Sequence, residues 1–570
     1  MIKISLLSGE FFLKSNDKTT LNSHQIQEIW NLASLNYINS RDYFFESCLK
    51  KNRDVGFNGF KYKFISYPFF LDSENKREWL EYFFLIEAAK RKFIFYKLEK
   101  RTNKKIEVSI NDLLTKKLNK NKVVKSFFYS ILNFILKNLA LKFLSKVLSF
   151  RFSNHKVSPI NLNVKELFIR VSLPGNAVKF NNMYFDRHIG DERKLKVKNL
   201  KLTYLINIIF YKRGQAIKNL SNLYYSLKSF HERKEGIVLI DEKITISNLF
   251  DIVLQTTLSF FRIRKEIKRH KESNLEIALI GNDFLTSFCG FIQNNLSHSI
   301  KLLNSINSRS GVLFTYEELL PHMRFYYFKS DKNNIKNLAY QHAYSPKGKL
   351  WSYHLPSEKN EHDFKAKYYP SIFLAQGSHY SNQIKHLFGD DLHIVGSLKS
   401  DAHPPAIHQI KEKNILLALS VADEEILLRF LSRLSLKDVK FIISVHPSSS
   451  ISLIKKKIDK LKISVPLEIS SKKSADIFDK VSLIICCYST VAIEAMKYGI
   501  TSCRLIPIDR LSLFDHDDDV YEIDSLNFNN KVIDNLLNQK NISLKSKYSY
   551  YESDLNTSTV IKNIISNLKI

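Results

Sequence analysis

Three short stretches decide the fold: Asn414-Ile-Leu-Leu-Ala-Leu-Ser420, Val439-Lys-Phe-Ile-Ile-Ser-Val445 and Val481-Ser-Leu-Ile-Ile-Cys486. Each is an aliphatic, β-branched run bounded by polar residues, the pattern of a strand buried on both faces. Between them, Asp423–Leu434 and Ile451–Leu461 carry helical periodicity. Strands alternating with helices at this spacing predict a parallel, doubly wound sheet. The series continues with a strand over Val465–Ile469, a short helix near Ala475–Phe478, a helix over Val491–Tyr498 and a strand over Thr501–Leu505. Ligands of such sheets sit beyond the carboxyl ends of the strands. The loops His446-Pro447-Ser448-Ser449-Ser450 and Tyr488-Ser489-Thr490 are therefore where chemistry is sought.

Upstream, β-branched runs recur at Glu166–Leu173, Gly236–Asp241, Ile277–Asp283, Asn337–Gln341, Ile372–Gln376 and His393–Ser397, and are read as strands of another sheet. Pro404-Pro405 can continue neither a helix nor a central strand, which places the linker between the two units there. Residues 1–160 are rich in Phe, Tyr and Lys and carry long helix-like stretches. The predicted organisation is a mostly helical N-terminal region at 1–160, Rossmann-like domains at 161–400 and 401–530, and a helical tail at 531–570.

A chain of 570 residues with 44% hydrophobic and 12% aromatic residues has material for several cores. Lys and Arg total 87 against 56 Asp and Glu, a net charge of +31 that biases the surface toward anionic partners. The lysines are dispersed, and neither zinc-finger spacing nor an aromatic RNA-binding motif occurs, so nucleic acid is not the expected partner. No G-x-G-x-x-G follows a strand, which argues against a dinucleotide enzyme. The cysteines, Cys48, Cys289, Cys486, Cys487 and Cys503, are odd in number and lack C-x-x-C spacing, as in a reducing compartment. Cys486 and Cys487 end a strand and read as small buried hydrophobes. The start of the chain has no basic segment followed by a long apolar one, so no secretory signal is read. The most apolar segment, Val123 to Phe150, is interrupted by Lys125, Lys137, Lys142 and Lys146 and makes a poor bilayer span. The expected location is cytoplasmic, peripheral on the anionic inner face of the cytoplasmic membrane.

Ser489 and Thr490 directly precede a helix, where hydroxyls, backbone N–H groups and the helix dipole converge on one point. His446 opens a neighbouring loop and adds an N–H donor, and Glu494, one turn into the helix, is placed to accept from a ribose. These residues point to a phosphate site. The order strand, His-Pro, helix, strand, helix, strand, Ser-Thr, helix resembles the donor domain of bacterial sialyltransferases, of the Kdo transferases of capsule assembly and of the CDP-glycerol polymerases of teichoic acid synthesis. In Leu338-Ala-Tyr-Gln341-His342-Ala343 a strand end resembles a Gln-His-Gly-like motif of those families, with Ala343 where Gly is usual. Ile372-Phe-Leu-Ala-Gln-Gly377 and His393-Ile-Val-Gly-Ser397 resemble their closing stretch.

The resemblance implies an α/β fold of the GT-B type, two doubly wound domains facing a cleft, the first for the acceptor and the second for the donor. It implies a glycosyltransferase of surface polysaccharide (capsule or lipopolysaccharide O-antigen) that uses a nucleotide-sugar donor and a glycan or lipid-linked acceptor. CMP-linked acidic sugars are the preferred donor, CDP-alditols the second and UDP- or GDP-hexoses the third, and a noncatalytic scaffold is the alternative of another class. Donor-binding residues are then His446, Pro447, Ser448, Ser489, Thr490 and Glu494. His342 is the first candidate for the catalytic base, Asp191 beside Glu192 the second, and Asp283 a further one. A nucleoside-monophosphate donor has no pyrophosphate to neutralise, so no metal and no cofactor are expected. The string Asp515-His516-Asp517-Asp518-Asp519 is read as a solvated acidic loop.

Overall fold

The computed structural model describes residues 2–6, 9–14, 22–44, 74–91, 93–98, 105–118, 123–152, 165–174, 177–180, 183–186, 189–209, 216–233, 235–270, 274–288, 291–307, 309–316, 323, 326–327, 330, 334–341, 369–398, 413–420, 423–436, 438–446, 449–470, 474–496, 498–508, 520–526, 528–538 and 556–568. The N-terminal region contains an antiparallel sheet of β1 (Ile2–Leu6), β2 (Gly9–Lys14), β3 (Ile94–Leu98) and β4 (Lys105–Glu107), in that order. Helices α1 (Ser23–Tyr43), α2 (Glu74–Lys90), α3 (Ile110–Leu118) and α4 (Val123–Phe152) accompany it. Asn22 and Gln25 cap α1 reciprocally, each side chain accepting the other's backbone N–H.

Next comes a parallel sheet of β5 (Lys165–Pro174), β8 (Lys201–Ile209), β9 (Gly236–Leu239), β10 (Ser310–Thr315), β11 (Ile335–Tyr340), β12 (Ile372–Ala375) and β13 (Leu392–Ile394). A hairpin of β6 (Ala177–Phe180) and β7 (Met183–Asp186) hangs between β5 and β8. The spatial order is β13-β12-β11-β10-β5-β8-β9. The chain thus starts in the middle, winds out to β9, and crosses back to β10, which places the switch point between β5 and β10. Helices α5 (Ala216–Glu232), α6 (Ile246–His270), α7 (Leu275–Phe288), α8 (Phe291–Ile306) and α9 (Ser378–Phe388) connect the strands.

The strand expected over Ile277–Asp283 is instead part of α7. A short apolar run is compatible with either state, and this one lies in a helix surrounded on all sides, with Ile277, Ala278, Leu279 and Ile280 all buried. The Asn274 side chain caps its first turn, accepting from Ile277 N–H at 3.1 Å. Gly281 lets α6 approach, because a Cβ there would lie 2.4 Å from Ile267. Phe11, Trp30, Phe83, Phe260 and Phe284 share one core, so α6 to α8, the N-terminal helices and the antiparallel sheet form a single body.

The remaining sheet is also parallel: β14 (Asn414–Ala418), β15 (Lys440–Ser444), β16 (Leu467–Ser470), β17 (Leu483–Cys486), β18 (Thr501–Ile506) and β19 (Tyr521–Asp524), ordered β16-β15-β14-β17-β18-β19. Its helices are α10 (Glu424–Leu431), α11 (Ile451–Leu461), α12 (Val491–Met496) and α13 (Asn530–Asn538). Ile415, Leu417, Phe441 and Ile443 pack on one face, while Leu416, Ile442 and Ile484 pack on the other. Covering both faces is what makes its strands continuous apolar runs. Two such doubly wound domains are the architecture expected from sequence.

The ends of the chain cross between the domains. Trp30 Nε1 in α1 donates to the Ile508 carbonyl at 3.1 Å, and Ser23 Oγ donates to Asp524, so the N-terminal region docks on the carboxyl edge of β18 and β19. The last helix, α14 (Thr557–Asn567), buries Ile561 and Ile565 in the core of the first parallel sheet.

Candidate functional site

In the second sheet the chain leaves β14 for β15 and β16, then crosses to β17, so the switch point lies between β14 and β17. Two loops meet there. The carboxylate of Asp423, fully buried, accepts from Ser420 N–H at 2.7 Å after β14 and from Tyr488 N–H at 3.0 Å after β17. One side chain thus holds both loops in register, and charge-assisted bonds to backbone N–H groups are the stronger kind. Ser489 Oγ accepts from Val491 N–H at 3.3 Å and retains its own proton for an incoming acceptor. Thr490 supplies the carbonyl that takes Ile493 and Glu494 N–H, both at 3.1 Å.

The helix expected over Val491–Tyr498 ends at Met496. With six residues its dipole is short, so the hydroxyls and loop N–H groups are the donors this edge offers. Glu494 is half-buried near Tyr498, whose hydroxyl is raised above its ordinary pKa by burial first and by Glu494 second.

On the other side of β14, His446 follows β15 and its carbonyl accepts from Ser449 N–H at 2.8 Å, which closes a tight turn. Pro447 and Ser448 lie outside the described residues. Ser420 Oγ and Ser449 Oγ are buried with no hydrogen-bond partner among the described residues. Native structures rarely leave such groups unpaired without a bound water, ion or functional reason. Below the same edge, Arg504 is buried in β18 directly opposite Cys486. Ser502, two residues earlier on the same strand face, donates to Ala492 O of α12 at 2.7 Å, which places Arg504 toward the Ser489 loop. Burial pushes the Cys486 thiol up to about 12, against the opposing pull of Arg504. Cys486, Cys487 and Cys503 are buried and unbridged, the role read for the first two from sequence; Cys48 and Cys289 lie outside the described residues.

The first sheet's carboxyl edge is built differently. Gln376 N–H donates to Gln341 Oε1 at 2.8 Å, and Gln376 Nε2 donates to Gln341 O at 2.6 Å and to Tyr340 Oη at 3.1 Å. Tyr340 Oη also accepts from Leu398 N–H at 2.9 Å and donates to Gly396 O at 3.3 Å. The three stretches singled out by sequence, ending at Gln341, Gln376 and Ser397, therefore form one buried polar network. His342 follows Gln341 but lies outside the described residues, as do Ala343 and Asp515–Asp519.

The other candidate bases are not brought to this edge. Asp191 is held by Arg193 through two bonds of 2.8 Å. Burial raises its pKa, but the bonds and charge of Arg193 outweigh this and hold the carboxyl below its usual value. Its neighbour Glu192 pairs at 3.2 Å with Arg233, which lies just ahead of β9, so this turn sits near the amino ends of β8 and β9. Asp283, expected at a strand end, is buried inside α7 and accepts from Tyr37 Oη at 2.6 Å. Sequence reasoning passed over Asp423 and Arg504. Asp423 had a signal, an acid in the polar break after a strand, whereas Arg504 lies within a strand and had none.

No protein-family model matches the chain, and no curated protein matches it. Solved structures similar to it include a UDP-GlcNAc 2-epimerase from Neisseria meningitidis bound to UDP-GlcNAc, at 13% identity and TM-score 0.36, covering 70% of this chain and 100% of that one. The Acinetobacter baumannii MurG is similar at 10% identity and TM-score 0.34, over 71% of this chain and 100% of its own. The wall teichoic acid polymerase TagF is similar at 11% identity and TM-score 0.35, over 78% and 97%. The fold follows from the two sheets themselves, and likeness at these identities carries no residue's role over to this chain.

Proposed function

We propose that this chain is a glycosyltransferase of bacterial surface polysaccharide that moves a sugar from a nucleotide donor to a glycan or lipid-linked acceptor without a metal ion. The observation that carries the reading is the switch-point edge of the second sheet. There Ser420, Ser449 and Ser489 lie on three neighbouring loops, the hydroxyls of the first two buried and without a partner among the described residues, beside His446 and above Arg504. A leaving phosphate seated there would give those hydroxyls their missing partner and would receive donors fixed before the reaction begins. Such preorganised donors stabilise developing charge, and removing one lowers the rate on the order of 10²–10³. Thr490, Pro447 and Ser448 belong to the same loops, and Glu494 is the ribose acceptor in this scheme.

The acceptor hydroxyl is deprotonated by His342, which follows the anchored Gln341. Asp191 is a weaker choice, being ion-paired and near the opposite end of its sheet. The donor is CMP-linked by preference. Thermal unfolding in the presence of CMP, CDP, UDP or GDP, with and without Mg²⁺, tests the assignment, because a ligand of the native state raises the midpoint by mass action. The expected result is a rise with CMP that Mg²⁺ does not change. A larger rise with CDP points to an alditol-phosphate donor, and a rise with UDP or GDP alone overturns the cytidine assignment.

A further inference from the structure

Among the described residues, helix α4 is held to the protein along one side. Phe127 stacks on Phe260 of α6 with ring centroids 3.9 Å apart, Ser297 Oγ of α8 donates to Asn138 Oδ1 at 2.8 Å, and Ser149 Oγ donates to Glu242 Oε2 at 2.7 Å. Lys142 Nζ donates to the Ile244 carbonyl, just ahead of α6, at 2.5 Å. The start of α4 thus meets the middle of α6, and its later turns meet the segment ahead of α6. The opposite side of α4 is apolar and exposed: Leu132, Leu136, Leu139, Phe143, Val147 and Phe150 recur at helical spacing, with Phe143 at 73% and Phe150 at 84% exposure. Helix α6 repeats the arrangement with Ile246, Phe250, Leu254, Leu258 and Phe261, Ile246 reaching 73% and Phe250 66%. Two helices in contact at Phe127 and Phe260, each with a long exposed apolar stripe, carry more than the scattered apolar residues normal for a soluble domain.

We infer that the exposed apolar faces of α4 and α6 seat in the surface of an anionic lipid bilayer, with both helices lying in its plane. The occupant is chosen by charge. The α6 stripe continues beyond Phe261 as exposed Lys265 and Lys268, and exposed Lys146 flanks Phe143 on α4. A second copy of a chain carrying +31 would bring like charge against like charge, whereas anionic headgroups complement it. By length and composition alone the segment Ser126–Phe152 could cross a membrane. Its bonds to α6, α8 and the turn ahead of α6, spread from Phe127 to Ser149, instead fix it against the protein body. Interfacial helices of this kind bury one face by roughly 5–10 Å. This inference does not depend on the reaction proposed above.

The test is flotation of the full chain with vesicles of phosphatidylcholine alone or of a two-to-one mixture with phosphatidylglycerol. Binding to the mixed vesicles is expected, with release by high salt or alkaline carbonate. Phe143→Glu and Phe250→Glu should each weaken it about tenfold or more, while Leu453→Glu, an exposed apolar residue on α11 of the other domain, should leave it unchanged. Hydrogen exchange of the unaltered protein gives a readout free of folding effects: 128–150 and 246–261 should gain protection on mixed vesicles, and 414–506 should not. Equal flotation of the double variant, carbonate-resistant binding, or dimers that the same substitutions dissolve without lipid would each overturn the inference.

Discussion

The carboxyl edges of the two parallel sheets solve different problems. At the first, Tyr340, Gln341 and Gln376 satisfy one another through side-chain and backbone bonds, so the polar groups described there are directed inward. At the second, Asp423 fixes the loops from below, while Ser420 Oγ and Ser449 Oγ have no hydrogen-bond partner among the described residues and Ser489 keeps a proton to donate. A closed network positions the chain that follows it. An open set of donors is what the proposed phosphate would meet. In the function proposed above, the first edge positions the chain that continues to His342 and the second holds the leaving phosphate.

The largest effect should come from the open edge. His446→Ala and Ser489→Ala are each expected to lower turnover on the order of 10²–10³. The double variant should lose much less than the product if the two share one phosphate. Full activity in folded single variants would reduce these residues to turn and cap residues.

Smaller effects separate the two kinds of edge. Asp423→Ala leaves two loop N–H groups without their acceptor and should cost on the order of 3 kcal/mol of stability. It should also abolish the nucleotide-induced rise in unfolding midpoint. Gln376→Leu removes donors from a closed network and should cost about 1–3 kcal/mol, yet leave the nucleotide response intact. If both variants lose that response equally, the division between the edges does not hold.

The smallest effect lies away from both edges. Burial, and next the Asp186 carboxylate, push Glu192 up to about 8 against the pull of Arg233. An acid whose native pKa exceeds its unfolded value binds its proton more tightly when folded. The contribution of Glu192 to stability is therefore fully present at low pH and is lost as pH rises from about 4.5 towards about 8. The unfolding midpoint should decline between pH 5 and pH 8, and Glu192→Gln should flatten that decline. An unchanged slope would mean that Arg233 keeps Glu192 ionised throughout.

By itself the sequence determined the second sheet almost strand by strand, because a strand covered on both faces must be apolar throughout and its boundaries are marked by polar loops. It also located His446, Ser489 and Thr490 at strand ends and singled out the stretches around Gln341, Gln376 and Ser397. β19 was missed, since Tyr521-Glu-Ile-Asp524 carries little apolar signal. Only the tertiary structure decided that Ile277–Asp283 is helical, because an apolar run surrounded by neighbours satisfies either period. It alone brought Asp423 between two loops and Arg504 beneath one of them, since strand order, not sequence spacing, sets those distances. The exposure of α4 and α6 was likewise beyond the sequence: apolar residues lie all around α4, and which of them face outward depends on the helices that cover the rest.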